Sequence, residues 1–313
     1  METEKSKSSL PDVAKESGST NLLHQLDLKW VGMQDIESRI LWPANSTDET
    51  YFLPARVQIQ VSLNKGNCRG IHMSRLFLMV QEKLGAKEFS FQLLREILNE
   101  SLFTHLEMSD SARMQIDFEI PKMQTSLKSG ISSIRNYPVS FEVKNILGQL
   151  QESIELKVLY SSTCPASGAL SRQLIQNRFQ QVFSDKRNLS TEDVEKWLIS
   201  TDGMIATPHA QRSWAKIKFQ PRPEFVSESF AMPLLCENLI KDVEFALGTP
   251  VQSAVKRIDE QEFARLNSEN MMFCEDAARK LKGYFLDHLQ WKLVDGEVHH
   301  VESLHPHEAV AFF

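Results

Sequence analysis

The sequence predicts an α+β protein in which two similar halves follow one another along the chain. Three observations lead to this fold class: segments that alternate apolar and polar residues, segments with an apolar helical stripe, and paired strands on both sides of a pair of helices in each half. No sequence repeat accompanies this order, so the duplication depends on the elements alone. The predicted halves are 21–150 and 151–313.

Four segments of the first half show either the periodicity of a strand or that of a helix. Strand patterns cover 51–63, 113–120 and 137–147, and two helical patterns share 75–103. Gly85 separates the helical patterns, and Gly148 marks a turn after the last strand. Pro121 closes the second strand, because it has no N–H to donate to a neighbouring strand.

The second half repeats this order loosely and adds a helical insertion. Strand patterns cover 152–160 and 211–219, the end at 298–313 is extended, and helical patterns cover 168–185, 190–199, 229–247 and 271–289. The insertion runs from about 168 to 199. Ser190 is the expected N-cap of its second helix, because Asp193 three residues later completes a capping-box pattern.

The composition is typical of a soluble globular protein. Of the 313 residues, 42% are hydrophobic and 24% are charged, and the net charge of -6 gives no reason to expect a nucleic-acid partner. No apolar run approaches the roughly 20 residues that cross a bilayer, so we expect no membrane partner. Residues 1–20 are charged and Ser-rich, which predicts a mobile tail rather than a secretory signal.

The cysteines are few and far apart. No C-x-x-C pair occurs, which argues against a zinc finger or a disulfide framework and favours a reducing cytoplasm. The four are Cys68, Cys164, Cys236 and Cys274.

Two residues stand where strands begin or end, which are common positions for functional side chains. Cys164 follows the strand predicted at 152–160, and His209 lies where a loop enters the next strand. Each also has an ordinary interpretation. A free cysteine is often buried and inert, and a loop histidine often faces solvent.

Histidines cluster near the carboxyl end, at His299, His300, His305 and His307. Because His305 and His307 are two residues apart, an extended chain places them on one face. Neutral imidazole is the commonest metal ligand, so the cluster suggests a metal site, with a polar surface strand as the alternative. Likewise, His72 and Arg75 in GIHMSRL either contact a phosphate or base, or cap a helix.

Seven segments, in chain order, resemble motifs of the type IB GTP cyclohydrolase I family. The LPDV and LDLKWVGM stretches resemble its amino-terminal segment. GIHMSRL is similar to G-x-H-M-S-R, STCP to S-x-C-P-C-S, and PHAQRS to A-H-N-Q-R-S. KRIDE is similar to K-R-P-D-E, SENMMFCED to Y-E-N-P-K-F-V-E-D, and ESLHPHEA to E-S-I-H-N-H-S-A. The ordered matches over nearly the whole chain are more specific than any one motif.

The resemblance implies a fold, an assembly and a reaction. The fold is the tunnelling fold (T-fold) in tandem, with an antiparallel four-stranded sheet and two helices in each domain. The chains form a homotetramer or another homo-oligomer, with sites between subunits. The reaction converts GTP and water to 7,8-dihydroneopterin triphosphate and formate, and leads to tetrahydrofolate, with queuosine as a second destination.

The resemblance also assigns a metal site. It implies that Cys164, Glu260 and His305 bind a divalent ion, Zn, Mn or Fe, and that no organic cofactor is needed. His209 is the fourth residue of this site, either as a ligand or as a proton carrier. Cys164 and His209 are therefore the expected catalytic residues.

The substrate contacts follow from the same motifs. Glu275 is expected to anchor the guanine ring, and His72, Arg75 and Arg212 are further substrate-binding candidates. Additional candidates for the triphosphate are Arg135, Lys256 and Arg257.

The sequence departs from the family pattern in two places. Ala166 stands where the family has its second cysteine, so only Cys164 supplies a thiolate. The 168–199 segment is longer than in most relatives. Three alternatives remain open: a T-fold nitrile reductase of the queuosine pathway, which uses a cysteine nucleophile and NADPH; a non-catalytic T-fold binding protein; and a Cys–His hydrolase.

Overall fold

The computed structural model describes residues 26–43, 50–65, 68–186, 188–222 and 232–313. The tail predicted at 1–20 and its LPDV motif lie outside these described residues. Within them, eight strands and seven α-helices alternate along the chain, which confirms the α+β class. None of the described helices is both long and apolar enough to cross a bilayer.

The first six elements alternate as a strand pair, a helix pair and a second strand pair. They are β1 (Leu28–Pro43), β2 (Thr50–Leu63), α1 (Met73–Lys83), α2 (Phe91–Thr104), β3 (Ser111–Thr125) and β4 (Ser132–Ile146). The two helices fall on either side of Gly85, as predicted. β3 continues beyond Pro121, so the prediction that this proline ends the strand is wrong.

The later elements include two helices, α3 and α4, over the segment predicted to be a helical insertion. In order they are β5 (Gln149–Thr163), α3 (Pro165–Phe183), α4 (Thr191–Leu198), β6 (Ala210–Pro221), α5 (Met232–Leu247), α6 (Arg257–Glu269), α7 (Cys274–Phe285), β7 (Trp291–His300) and β8 (Ala309–Phe312). Ser190 and Asp193 form the expected capping box of α4.

The strands follow one another in chain order from β1 to β8 in the sheet. The pairs β1–β2, β2–β3, β6–β7 and β7–β8 are antiparallel, as the resemblance implies. Neighbouring strands in sequence are therefore neighbours in space, and loops that follow one strand lie beside the start of the next.

The chain divides into two compact units that do not follow a single cut. In its described part, the first unit contains 26–43, 50–65, 68–119, Val139–Ile154 and 232–235. The second contains Ile120–Pro138, Glu155–Arg222 and Cys236–Phe313. The halves proposed as 21–150 and 151–313 stay a prediction.

An aromatic cluster forms much of the first unit's core. Trp42 lies 5.3 Å from Phe118, and Phe89 meets Phe141 edge-on at 5.0 Å, measured between ring centroids. Trp42, Phe89 and Phe141 are at most 1% exposed. Burying each such ring contributes on the order of 2–3 kcal/mol.

The turn between β4 and β5 contains a strained residue. Leu147 and Gly148 have φ angles of 52° and 86°, so both occupy the left-handed region that this kind of two-residue hairpin turn requires. Glycine adopts that conformation without penalty, but leucine does not.

Substituting this leucine should therefore stabilise the protein. We expect Leu147→Asn to raise the free energy of unfolding by about 0.5–1 kcal/mol, because Asn tolerates a positive φ and Leu147 is 72% exposed. Urea denaturation measures the change. Leu150→Asn on the adjoining strand is the control, and a gain there equal to that at Leu147 would contradict the explanation by backbone strain.

Candidate active site

Cys164 stands at the junction of β5 and α3 in the second unit. It is the N-cap of α3, and Pro165 occupies the first helical turn, where its missing N–H costs nothing. The backbone N–H of Ser167 donates to the Cys164 Sγ at 3.4 Å. The sulfur therefore lies at the N-terminus of α3, where a backbone N–H group faces it.

His209 is fastened to the same helix start. The Cys164 N–H donates to the carbonyl oxygen of His209 at 3.2 Å, and the His209 N–H donates to the Ser167 Oγ at 3.2 Å. These two bonds fix the backbone of His209 beside that of Cys164. The structure thus brings together two residues that are far apart in sequence.

The His209 ring is held by a buried polar chain. Its Nδ1 lies 3.0 Å from the Gln211 Oε1, and the Gln211 Nε2 donates to the Ser162 Oγ at 2.9 Å. The Ser162 and Ser213 hydroxyls are 2.7 Å apart. The Glu302 Oε2 also lies 3.6 Å from Nδ1.

A cavity of about 390 Å³ opens at Cys164 and His209, within the size range of small-molecule sites. Its polar side chains come from the α3 start, the loop before β6 and the loop before β8. They are Cys164, Ser167, His209, Glu302, His305, His307 and Glu308. Its apolar side is formed by Ala166, Leu170, Phe273, Leu304 and Ala309.

The four carboxyl-terminal histidines divide into two pairs. His305 and His307 line the cavity, and their rings stack 4.9 Å apart with planes 9° from parallel. The other two, His299 and His300, lie on β7 and do not line the cavity. His299 stacks on Trp214 at 3.7 Å, and His300 is buried against the Tyr160 hydroxyl at 2.8 Å. Only half of the sequence cluster therefore lines the cavity.

The environment of His300 makes stability depend on pH. Burial lowers the pKa of His300 to about 4, although the Glu275 and Asp276 carboxylates act in the opposite direction. The unfolded chain binds a proton at this residue below about pH 6.5, whereas the folded chain does so only near pH 4. The stabilising contribution of neutral His300 is therefore complete above pH 6.5 and is lost as the pH falls to 4.

We expect the free energy of unfolding to fall by about 3 kcal/mol from this group between pH 6.5 and pH 4. Urea denaturation of the wild type and of His300→Gln across that range measures it. The variant should show a correspondingly flatter dependence. Equal slopes for the two proteins would contradict the assignment to His300.

Glu260 lies outside the cavity lining. It is exposed in the first turn of α6, a helix that the sequence did not predict. The adjacent Asp259 is fully buried and accepts hydrogen bonds from the backbone N–H groups of Lys128, Ser129 and Lys256. Although desolvation opposes it, this set of donors holds the pKa of Asp259 well below its usual range. Asp259 thus anchors the helix that carries Glu260.

No three His, Cys, Asp or Glu side chains of the described residues converge as a ready metal-binding group. The implied ligand set of Cys164, Glu260, His305 and His209 therefore stays a prediction. Three of its members line one cavity. The donor types there, thiolate, imidazole and carboxylate, fit a divalent ion.

Glu275 is exposed in the first turn of α7, two residues after the cavity residue Phe273. Hydrogen bonds from its own backbone N–H and from the Cys274 thiol lower the pKa of Glu275. The donating Cys274 Sγ is 3.3 Å away, and burial raises the pKa of this thiol to about 11. Glu275 is thus an ionised acceptor, as a guanine anchor must be.

The other substrate candidates occupy different settings. His72 is the N-cap of α1 in the first unit, and the Arg75 guanidinium donates to the Thr104 carbonyl at 2.9 Å. Arg212 is exposed on β6 and does not line the cavity. Lys256 and Arg257 are exposed at the start of α6. These roles remain predictions.

Arg135, a further candidate for the triphosphate, is bound to other groups of the second unit. Its guanidinium is buried and donates to the carbonyls of Leu159 and Val251, each at 2.9 Å, and to Glu244 at 3.2 Å. These bonds give the guanidinium a structural role, and its candidacy for contact with the triphosphate stays a prediction.

Sequence reasoning missed Glu302, Glu308 and Gln211. The two carboxylates belong to the ESLHPHEA segment, and Gln211 belongs to PHAQRS. The motifs therefore contained these residues, but only the fold shows that they surround His209 and the cavity.

Comparisons with known proteins match the chain to one family. The model of a family described as type I GTP cyclohydrolase folE2 matches residues 10–311. GTP cyclohydrolase FolE2 of Bdellovibrio bacteriovorus is 46% identical over 97% of this chain and 96% of its own length. The FolE2 protein of Hydrogenovibrio crunogenus is 41% identical, over 96% of this chain and 93% of its own.

Among solved structures, a hyper-thermostable mutant of AgUricase superposes with a TM-score of 0.50 and 6% identity, covering 92% of this chain and 91% of that one. The likeness concerns the fold alone, and it supports the tunnelling-fold class implied by the motifs.

Proposed function

Because the chain belongs to the type I GTP cyclohydrolase FolE2 family, we propose that it hydrolyses GTP to 7,8-dihydroneopterin triphosphate and formate, the first step towards tetrahydrofolate. The observation that carries the proposal to this site is the pairing of Cys164 and His209 at the mouth of one cavity. A reducing cytoplasm is the proposed location of the protein, since all four cysteines are free thiols.

A divalent ion is part of the proposal. The cavity offers it the Cys164 thiolate and the imidazoles of His209 and His305. Zinc suits the thiolate, while manganese and iron also accept imidazole and carboxylate ligands. When bound, such an ion lowers the pKa of water and supplies hydroxide for attack on C8 of the purine.

The protein side chains bind and orient the substrate around that chemistry. His209, held by its buried polar partners, moves protons or binds the ion. Glu275 accepts hydrogen bonds from the guanine edge. The apolar side chains of Leu170, Phe273 and Leu304 offer a surface for the purine face and exclude water from it.

The carboxylate ligand has two candidates. The motif match assigns Glu260, whereas the described structure places Glu302 in the cavity. Metal titration of Glu260→Gln and Glu302→Gln, each against the wild type, separates them. The true ligand should lose about 10-fold or more in metal affinity, and the other variant should lose little.

We also propose a homo-oligomer whose sites lie between subunits, which would bring Glu260 of one copy to Cys164 of another. Mixing inactive Cys164→Ala and inactive Glu260→Gln subunits tests this arrangement. Restored activity in the mixed oligomer supports a shared site. Two inactive parents that stay inactive when mixed and re-assembled would contradict it.

The activity itself is tested with the full chain, stripped of metal and reloaded with Zn²⁺ or Mn²⁺. Incubation with GTP should release formate and a fluorescent pterin after oxidation. A well-folded protein that turns over no GTP with any divalent ion would contradict the proposal. Metal-independent oxidation of NADPH with a nitrile substrate would instead identify the reductase alternative.

A further inference from the structure

We propose that Gln211 is a positioning residue that holds His209 in the tautomer with its proton on Nδ1, so that Nε2 keeps a free lone pair. Only the catalytic consequence of this inference rests on the proposed function, because that consequence assumes that His209 is the metal ligand or the proton carrier. The tautomer itself is a property of the metal-free chain.

The first step is the direction of the hydrogen bonds. The Gln211 side chain has one oxygen acceptor and one NH₂ donor. In the structure the donor faces the Ser162 Oγ at 2.9 Å, and the acceptor faces the His209 Nδ1 at 3.0 Å. An amide oxygen only accepts, so in this orientation of the amide the Nδ1 atom carries the proton. Nε2 then carries the lone pair.

The second step is the charge near the same nitrogen. The Glu302 Oε2 lies 3.6 Å from the His209 Nδ1. A carboxylate at this distance is too far for a strong hydrogen bond, but it favours a protonated nitrogen over a lone pair. It therefore opposes the flipped amide, which would place the NH₂ group against an unprotonated Nδ1 atom.

The third step is burial, which makes the arrangement rigid. Gln211 is 7% exposed, and Ser162 and Ser213 are fully buried. Buried polar groups without partners are costly, so the amide has few alternatives to the bonds it makes. Because Gln211 and Ser213 point to the same side of β6, and Ser162 faces them from β5, the sheet itself sets the ring orientation.

Either role of His209 needs the Nε2 lone pair. A metal ligand donates it to the ion, and a general base accepts a proton with it. In the other tautomer the available nitrogen would be a donor and could do neither. Residues that orient a metal ligand by a hydrogen bond typically contribute roughly 10–100-fold to metal affinity or activity.

The test reads the tautomer directly. The full chain is labelled with ¹⁵N-histidine and studied by NMR without metal, at a pH where histidine is neutral. His209→Gln assigns the His209 signal by its loss. We expect wild-type His209 to show a protonated Nδ1 and an unprotonated Nε2. A wild-type ring protonated on Nε2 would overturn the inference.

Four variants isolate the role of Gln211. Gln211→Met keeps the shape without the acceptor and should shift His209 towards the Nε2–H form. Gln211→Glu keeps an acceptor and should retain the Nδ1–H form, which a purely structural role would not require. Ser162→Ala frees the amide to flip and should give a mixture. Ser213→Ala, one bond further away, should leave the tautomer unchanged.

Turnover supplies the second readout. In Gln211→Met we expect kcat for GTP to fall roughly 10–100-fold with little change in KM, and Gln211→Glu to recover most of it. The inference would be overturned if Gln211→Met and Ser162→Ala both left the tautomer and the rate unchanged. It would also be overturned if Glu302→Gln shifted the His209 tautomer and Gln211→Met did not. If wild type turns over no GTP, the tautomer pattern still decides the inference, while the proposed function fails separately.

Discussion

Replacing Cys164 by alanine should lower GTP turnover by on the order of 10³-fold or more. In the proposed site Cys164 supplies the sulfur ligand, because it is the one cysteine among the described residues that line the cavity, and Ala166 occupies the position of the family's second cysteine. Losing it weakens the binding of a cation whose charge is expected to contribute several kcal/mol to the transition state, and each 1.36 kcal/mol corresponds to tenfold in rate. Metal content should fall in parallel.

Two controls separate this loss from a structural effect. Cys164→Ser keeps an acceptor for the Ser167 N–H and so preserves the start of α3, yet we expect it to bind metal poorly because oxygen replaces the soft sulfur. Cys68→Ala, in the first unit, should retain full activity. Wild-type metal content and turnover in Cys164→Ala would contradict the ligand assignment.

Removing Glu244 should cause the largest loss of stability, about 3–5 kcal/mol in Glu244→Leu. This carboxylate lies between two buried cations of the second unit, 3.2 Å from the Arg135 Nη1 and 3.6 Å from the Lys122 Nζ. The Tyr137 hydroxyl and the Gln124 amide also donate to it, at 2.5 and 3.1 Å. Without it, both positive charges remain buried and uncompensated.

Urea denaturation measures this effect. Glu244→Gln, which keeps an acceptor but not the charge, should show an intermediate loss. The matched control is Glu192→Gln in the exposed pair with Lys196, whose side chains are 74% and 71% exposed and for which we expect less than about 0.5 kcal/mol. A loss below about 1 kcal/mol in Glu244→Leu would show that the two cations do not depend on this carboxylate.

Regular periodicity made most elements predictable, and its local interruptions explain those that were missed. β1 was not recognised as a strand because its pairing with β2 shifts register between Met33 and Ile36, where Asp35 has a φ of 57°. Such a bulge inverts the alternation of inward and outward residues halfway along the strand.

α6 was missed for a different reason. Its sequence, RIDEQEFARLNSE, is strongly charged, and Asp259 is its one fully buried carboxylate. The helix is anchored by hydrogen bonds from Lys128 and Ser129, which lie some 130 positions earlier in the sequence. No local pattern contains that information.

The residues of the site were likewise predictable only in part. Motif order identified Cys164, His209 and His305, and all three line one cavity. The proximity of Cys164 and His209 depends on a backbone hydrogen bond between the end of β5 and the start of β6, which their separation in sequence conceals. Gln211 and Glu302 had no distinctive local signal, because their importance comes from the single imidazole nitrogen that both approach.

Turnover of GTP labelled at carbon 8 tests the central claim most directly. The full chain, reloaded with Zn²⁺ or Mn²⁺, is incubated with [8-¹⁴C]GTP, and labelled formate and pterin are both quantified. We predict that the label leaves the nucleotide as formate in a one-to-one ratio with the pterin product. Label that stays in the purine ring, while the protein is folded and holds its metal, would contradict the assignment of this chain as a GTP cyclohydrolase.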